Sequence, residues 1–150
     1  MIKVGITGTR LTPAFAQLDM TYRILSDLWE NGSELHQGCC TGYDESTIII
    51  ASVIKYKIVG HPPIDQKFIT SKYILDYCHS MKTPKEYLDR NKDIVDETDL
   101  LIAAPLKLEN ENPRSGTWST IRYAKKMKKN ITILFADGKV EEWHALPNEH

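Results

Sequence analysis

Cysteine is scarce in this chain. Three of 150 residues are Cys, and two of them, Cys39 and Cys40, are adjacent. Neighbouring cysteines are poorly placed to pair, so a disulfide-stapled secreted scaffold is excluded and a reducing compartment is expected. Charge of one sign is missing as well: 19 Lys and Arg against 20 Asp and Glu leave a formal net charge of −1. No global field draws the chain to nucleic acid or to an anionic membrane, so either partner needs a local patch. Long apolar runs are absent. The most apolar stretch, residues 48–54, is far too short to span a bilayer. The first residues show no basic segment followed by an apolar run, so no signal peptide and a cytoplasmic location are expected. The scattered His and Cys show no metal-ligand spacing, so no metal and no cofactor are expected. Neither G-x-G-x-x-G nor G-x-x-x-x-G-K-[ST] occurs, which argues against an ordinary dehydrogenase and a P-loop NTPase.

What remains is an ordinary globular composition, 41% hydrophobic and 26% charged, in a chain long enough for one domain with its own core. Residues 1–7 read as a buried first strand, ended by Gly8-Thr9-Arg10. Thr12-Pro13 predicts a cap and a first-turn proline, opening a helix to about residue 30. Its apolar positions Phe15, Leu18, Tyr22, Leu25 and Leu28 fall at helical spacing. A strand over 34–37 leads into the loop Gly38-Cys39-Cys40-Thr41-Gly42 and a helix over 44–56. A strand over 57–60 runs into His61-Pro62-Pro63, and the polar-aromatic mixture of 64–82 reads as a loop with one helical turn. Thr83-Pro84 repeats the cap-and-proline signal before a helix to about residue 97. The apolar run 100–104 reads as a strand covered on both faces. A polar loop, a helix over 116–129, a strand over 131–135, the Asp137-Gly138 turn and a short closing segment complete the chain. Strands alternating with helices predict a single Rossmann-like, doubly wound parallel sheet with helices on both faces.

Ligands of such sheets sit outside the carboxyl ends of the strands. Four loops leave that edge: Gly8-Thr9-Arg10, the loop from Gly38 to Asp44, His61-Pro62-Pro63, and the one from Pro105 to Thr120. The last holds Arg114-Ser115-Gly116-Thr117-Trp118-Ser119-Thr120. There a helix start, Ser and Thr hydroxyls and an Arg combine as a phosphate cradle, and small residues permit close approach.

Order and spacing then carry a resemblance. The loop His36-Gln37-Gly38-Cys39-Cys40-Thr41-Gly42-Tyr43-Asp44 resembles the G-x-x-x-G-[ILA]-D loop of the Smf/DprA family, and Gly8-Thr9-Arg10 resembles its G-[ST]-R. The second half is similar to the LOG phosphoribohydrolases. Arg90-Asn91 stands for their helix R-[KN], residues 100–105 for their strand, and Arg114-Ser115-Gly116-Thr117 for the G-x-G-T core. Over about residues 2–136 the chain resembles the SLOG superfamily, which implies a Rossmann-like nucleotide-binding domain that often pairs into a homodimer or higher oligomer. Residues 64–82 or the basic helix would form the contact. The LOG pattern places a catalytic Glu where this chain has Thr120. A hydroxyl does not replace a carboxylate base near neutral pH. An N-glycosidase built here needs another carboxylate, with Asp44, Glu86 and Asp89 as candidates and Arg90 as the helix Arg.

The expected function is binding of a nucleotide or nucleotide-derived signal, of the ADP-ribose or cyclic-nucleotide kind, as a sensor or sequestering module. The alternative is a nucleoside 5′-monophosphate N-glycohydrolase. The expected ligand-binding residues are Gly8, Thr9, Arg10, Gly38, Cys39, Gly42, Asp44, Pro62, Arg90, Asn91, Pro105, Arg114, Ser115, Gly116, Thr117, Trp118 and Thr120. Several have plainer readings: Arg90 as a surface partner of Glu86, Asp44 as a helix cap, Trp118 as core, and His61 as structural rather than a base. A helix N-terminus near Cys39 and Cys40 would lower a thiol pKa, yet packing is the simpler role. Arg122, Lys125, Lys126, Lys128 and Lys129 offer a patch for single-stranded nucleic acid, or a solvated face, and nucleic acid is not the expected partner.

Overall fold

The computed structural model describes residues 1–106 and 115–145. Arg114, Lys107–Pro113 of the polar loop and the last five residues lie outside the described residues. One seven-stranded sheet runs in the order β4-β3-β2-β1-β5-β6-β7. Its strands are β1 (Lys3–Gly8), β2 (Glu34–Gln37), β3 (Lys57–Gly60), β4 (Ser80–Met81), β5 (Leu100–Ala104), β6 (Asn130–Leu134) and β7 (Val140–Trp143). Every pairing is parallel except β6 with β7. The closing segment is thus an antiparallel edge strand, because the Asp137-Gly138 turn is too short for a crossover.

Among the described residues five helices connect the strands: α1 (Phe15–Leu28), α2 (Tyr43–Ile54), α3 (Lys72–Leu75), α4 (Tyr87–Asp96) and α5 (Gly116–Lys126). The run at β5 explains the layering. Ile102 and Ala104 enter a core with Leu25 of α1 and Ile48 of α2. Leu101 and Ala103 enter a second core with Val95 of α4 and Ile121 of α5. Alternate side chains of one strand therefore feed both cores, and the sheet is covered on both faces.

Three boundaries differ from the sequence expectations. Helix α1 is capped at Ala14, whose N–H donates to the Gln17 side chain (2.9 Å), rather than at Thr12. Its inward face is Gln17, Thr21 and Leu25, while Phe15 is 82% exposed. Leu18, Leu25 and Leu28 of the apolar spacing do pack on the first core, but Phe15 and Tyr22 are exposed, and Gln17 and Thr21 are buried because they have partners. The Gln17 amide donates to the carbonyls of Pro105 and Leu134, both at 2.9 Å, and Thr21 meets the Tyr43 hydroxyl at 2.6 Å. Thr83-Pro84 precedes α4 without capping it, since the chain there still runs extended beside Pro63. The region 64–82 holds α3 as its helical turn and also strand β4.

Candidate functional site

At β1 the strand order reverses, with β2 on one side and β5 on the other. The crevice outside the carboxyl ends of β1 and β5 is where such a sheet leaves room for a ligand. A cleft of about 530 Å³ opens there, lined by β1, the loop after it, the Gly38 loop, α4 and the start of α5.

Arg90 forms its floor. The residue is only 5% exposed, and its guanidinium makes no ion pair with Glu86. Its Nη1 donates to the carbonyls of Gly38 and of His61, the latter at 3.0 Å. Nε donates to Asn91 Oδ1 at 2.6 Å, and Nη2 lies 3.6 Å from Cys40 Sγ. Two loops from neighbouring strands are thereby tied to one side chain of α4. The motif pair Arg90-Asn91 is joined within itself. Gly38 is required by this arrangement, since a Cβ there would run into the guanidinium.

Arg10 stands at the mouth. Its guanidinium lies between two rings, 4.6 Å from the Phe68 centroid and 4.4 Å from that of Tyr87. Arg90 approaches the same Tyr87 ring at 5.3 Å. Among the described residues, no carboxylate oxygen lies within 4.0 Å of either guanidinium. Cation–π stacking holds Arg10 in place without using its N–H donors. Asp44 lies deeper and is buried, accepting from Cys40 N at 3.2 Å. Burial raises its pKa above the usual carboxylate range, against the lowering pull of Arg90 and of backbone N–H donors. Across the cleft, Ser115 caps α5 by accepting from Trp118 N at 3.4 Å. A Cβ built on Gly116 meets no atom of the described residues within 4 Å.

Gly8, Thr9, Arg10, Gly38, Asp44, Arg90, Asn91, Ser115, Gly116 and Thr117 thus line one cleft. Six others on the expected list do not. Cys39 is fully buried against Gln37, and Gly42, at φ 84°, lets α2 begin hard against the backbone of Thr9 to Leu11. Pro62 and Pro105 are not among the lining residues. Trp118 packs on Phe135 with ring centroids 6.4 Å apart, in the second core. Thr120 is buried and returns its hydroxyl to the Gly116 carbonyl at 2.7 Å. His61 turns its ring from the cleft to His36, Nε2 to Nδ1 at 2.8 Å, and burial lowers its pKa to about 4. The helix start does not activate the thiols either. Burial pushes Cys39 and Cys40 upward, and desolvation outweighs the nearby Arg90. The sequence reading missed Tyr87 and Phe68. Tyr87, three residues before Arg90, was visible as the first aromatic of the helix. Phe68 had no signal, because pairing of its segment with the loop after β2, Thr41 N on the Phe68 carbonyl (2.8 Å) and Thr70 N on the Cys39 carbonyl (2.9 Å), brings it over Arg10.

No family model and no curated protein matches the chain. Solved structures do match. A molybdenum cofactor binding protein from the phototrophic bacterium Rippkaea orientalis superposes with a TM-score of 0.66 at 20% identity, over 89% of this chain and 76% of that one. DNA processing protein A from Helicobacter pylori, described with a single-stranded DNA binding mode, gives 0.63 at 24% identity over 89% and 65%. DNA processing protein A from Streptococcus pneumoniae gives 0.68 at 17% identity over 89% and 50%. This chain thus spans half to about two thirds of those two DprA chains. At such identities the fold alone is shared, and it is a Rossmann-like α/β fold.

Proposed function

We propose that the chain binds a nucleotide or nucleotide-derived anion in this cleft, as a sensor or sequestering module of the SLOG kind. The observation that carries the reading is Arg10. A guanidinium stacked between Phe68 and Tyr87, with no carboxylate partner among the described residues, faces a cleft that is also lined by the start of α5. Backbone N–H groups at the start of α5 and the Arg10 donors suit a phosphate, with Ser115 and Thr117 hydroxyls beside them. Gly38 leaves the Arg90 floor flat for a sugar, and Tyr87 offers an aromatic edge. The neighbours' ligands differ, a molybdenum cofactor in one and single-stranded DNA in another, so the fold supports small-molecule binding without choosing the ligand. Part of the same proposal is a cytoplasmic protein that forms a homo-oligomer, with the exposed Tyr73, Tyr77 and Met81 of the 64–82 segment at the contact. No helix among the described residues is long and apolar enough to cross a membrane.

One observation favours the enzyme alternative. Asp44 is a buried carboxylate of raised pKa on the cleft wall, suited to proton transfer in N-glycosidic cleavage. Thermal shift and free-base release, followed together over nucleoside monophosphates, NAD, ADP-ribose species and molybdenum cofactor, separate the two readings. Stabilisation with intact ligand recovered supports binding. Base release lost in Asp44→Asn supports hydrolysis instead.

A further inference from the structure

Away from the cleft, the face of the sheet that carries α4 and α5 continues over β2, β3 and β4. Leu35 enters the first core, so its neighbours Glu34 and His36 point to this other face. A polar hollow of about 330 Å³ lies there, lined by Lys3, Glu34, His36, Lys57, Ser80, Lys82 and Glu97 among others. His36, 3% exposed, lines it, and His61, 2% exposed, lies against the His36 ring.

The hydrogen bonds assign the ring nitrogens. His36 Nε2 meets Glu34 Oε1 at 2.8 Å, so its proton sits there and the Nδ1 lone pair is free to face His61 Nε2, 2.8 Å away. Glu97 is held on one side only: Lys82 Nζ lies 3.1 Å from Oε1, while Oε2 is turned to the His61 ring at 3.8 Å. One donor atom from each of His36, His61 and Glu97 lies within 4.8 Å of the others.

We propose that His36, His61 and Glu97 bind one divalent transition-metal ion of the zinc class, with its open position facing the polar hollow. Two imidazoles and a carboxylate are a donor set that zinc takes, with water in the fourth place. Each donor residue already has the outer partner that metal ligands need. Glu34 orients His36, Lys82 orients Glu97, and the backbone of His61 is pinned at both ends, its N–H on the Gln37 carbonyl (2.8 Å) and its carbonyl on Arg90 (3.0 Å). Nitrogen ligands of a tetrahedral ion lie about 3.3 Å apart. The ion therefore replaces the proton the two rings share and widens their contact by about half an ångström, and the Glu97 carboxylate, now 3.8 Å from the Nδ1 edge of His61, turns about its side-chain bonds to complete the set. The ligands are 25 residues apart in sequence and more, so no linear spacing marks them.

The test is a titration of the metal-stripped full chain with Co²⁺, a spectroscopic substitute for Zn²⁺. Saturable binding of one equivalent is expected, with the visible bands of a tetrahedral nitrogen–oxygen site and full displacement by Zn²⁺. Glu97→Gln, at a part-exposed position the fold tolerates, should weaken binding on the order of tenfold or more. His36→Gln should abolish the bands, with circular dichroism checking its fold, and Glu97→Gln carries the test where that variant does not fold. His144→Ala, at the exposed His144–Glu142 pair, should leave the titration unchanged. Absence of saturable binding, or unchanged binding in Glu97→Gln, overturns the proposal.

Discussion

The guanidinium of Arg90 rests on the carbonyl of Gly38, and this contact joins helix α4 to the loop after β2. The sequence motif marks both residues, but as ligand contacts. The structure makes Arg90 first a strap: a buried charge that satisfies two loop carbonyls and shapes the cleft floor. Gly38→Ala should therefore destabilise the fold by about 1–3 kcal/mol, since the new methyl group must displace the guanidinium. Urea unfolding measures this, and an unchanged midpoint contradicts the close packing.

Arg10 behaves differently, because it is exposed and its contacts are two aromatic faces. Arg10→Ala should cost less than about 1 kcal/mol of stability. It should weaken an anionic ligand about ten- to a hundredfold, the loss expected for a charge-assisted hydrogen bond. Arg10→Lys should recover only part of this, as an ammonium lacks the planar fork that stacks. Calorimetric titration of the three proteins is the check.

Asp44 links the site to pH. Its folded pKa is raised, so in the interval above the ordinary carboxylate value the native state holds a proton that the unfolded state has lost. Stability then falls as pH rises through that interval and levels off above the raised pKa. Asp44→Asn lacks this dependence. The difference in unfolding free energy between variant and wild type should move in the variant's favour from acid towards neutral pH. A difference that moves the other way would mean that Arg90 and the backbone donors outweigh burial.

The thiols offer a simple readout of burial. Cys39 and Cys40 are buried, and burial pushes both thiols upward, while Cys78 is half-buried and raised to about 11. Thiolate is the reactive form, so near pH 8 the native protein should react slowly with a disulfide reagent, Cys78 leading. All three should react promptly in denaturant. Rapid labelling of Cys40 in the native state would contradict the packing.

The sheet was largely legible because its strands are short apolar runs between Gly-rich turns. β2, β3 and β5 fall where the pattern puts them, and β5 shows its two-sided burial directly in Leu100 to Ala104. The inward face of α1 was legible only in part: Leu18, Leu25 and Leu28 pack on the core, but periodicity counts apolar residues and two of the three fully buried positions are polar with partners distant in sequence. The same limit governs the cleft. Residues at strand ends and helix starts, such as Thr9, Arg10 and Gly116, are local signals and were read. Phe68 and the His36–His61 pair arise from contacts between loops and strands that no local spacing encodes.

The central claim is that the cleft holds a phosphate-bearing nucleotide through Arg10 and the start of α5. Calorimetry of ADP-ribose and AMP against wild type and Arg10→Ala tests it most directly. The account predicts saturable binding to the wild type, weakened about tenfold or more in Arg10→Ala and reduced by added inorganic phosphate. Equal affinity in both proteins, or no binding of either nucleotide to the wild type, would contradict it.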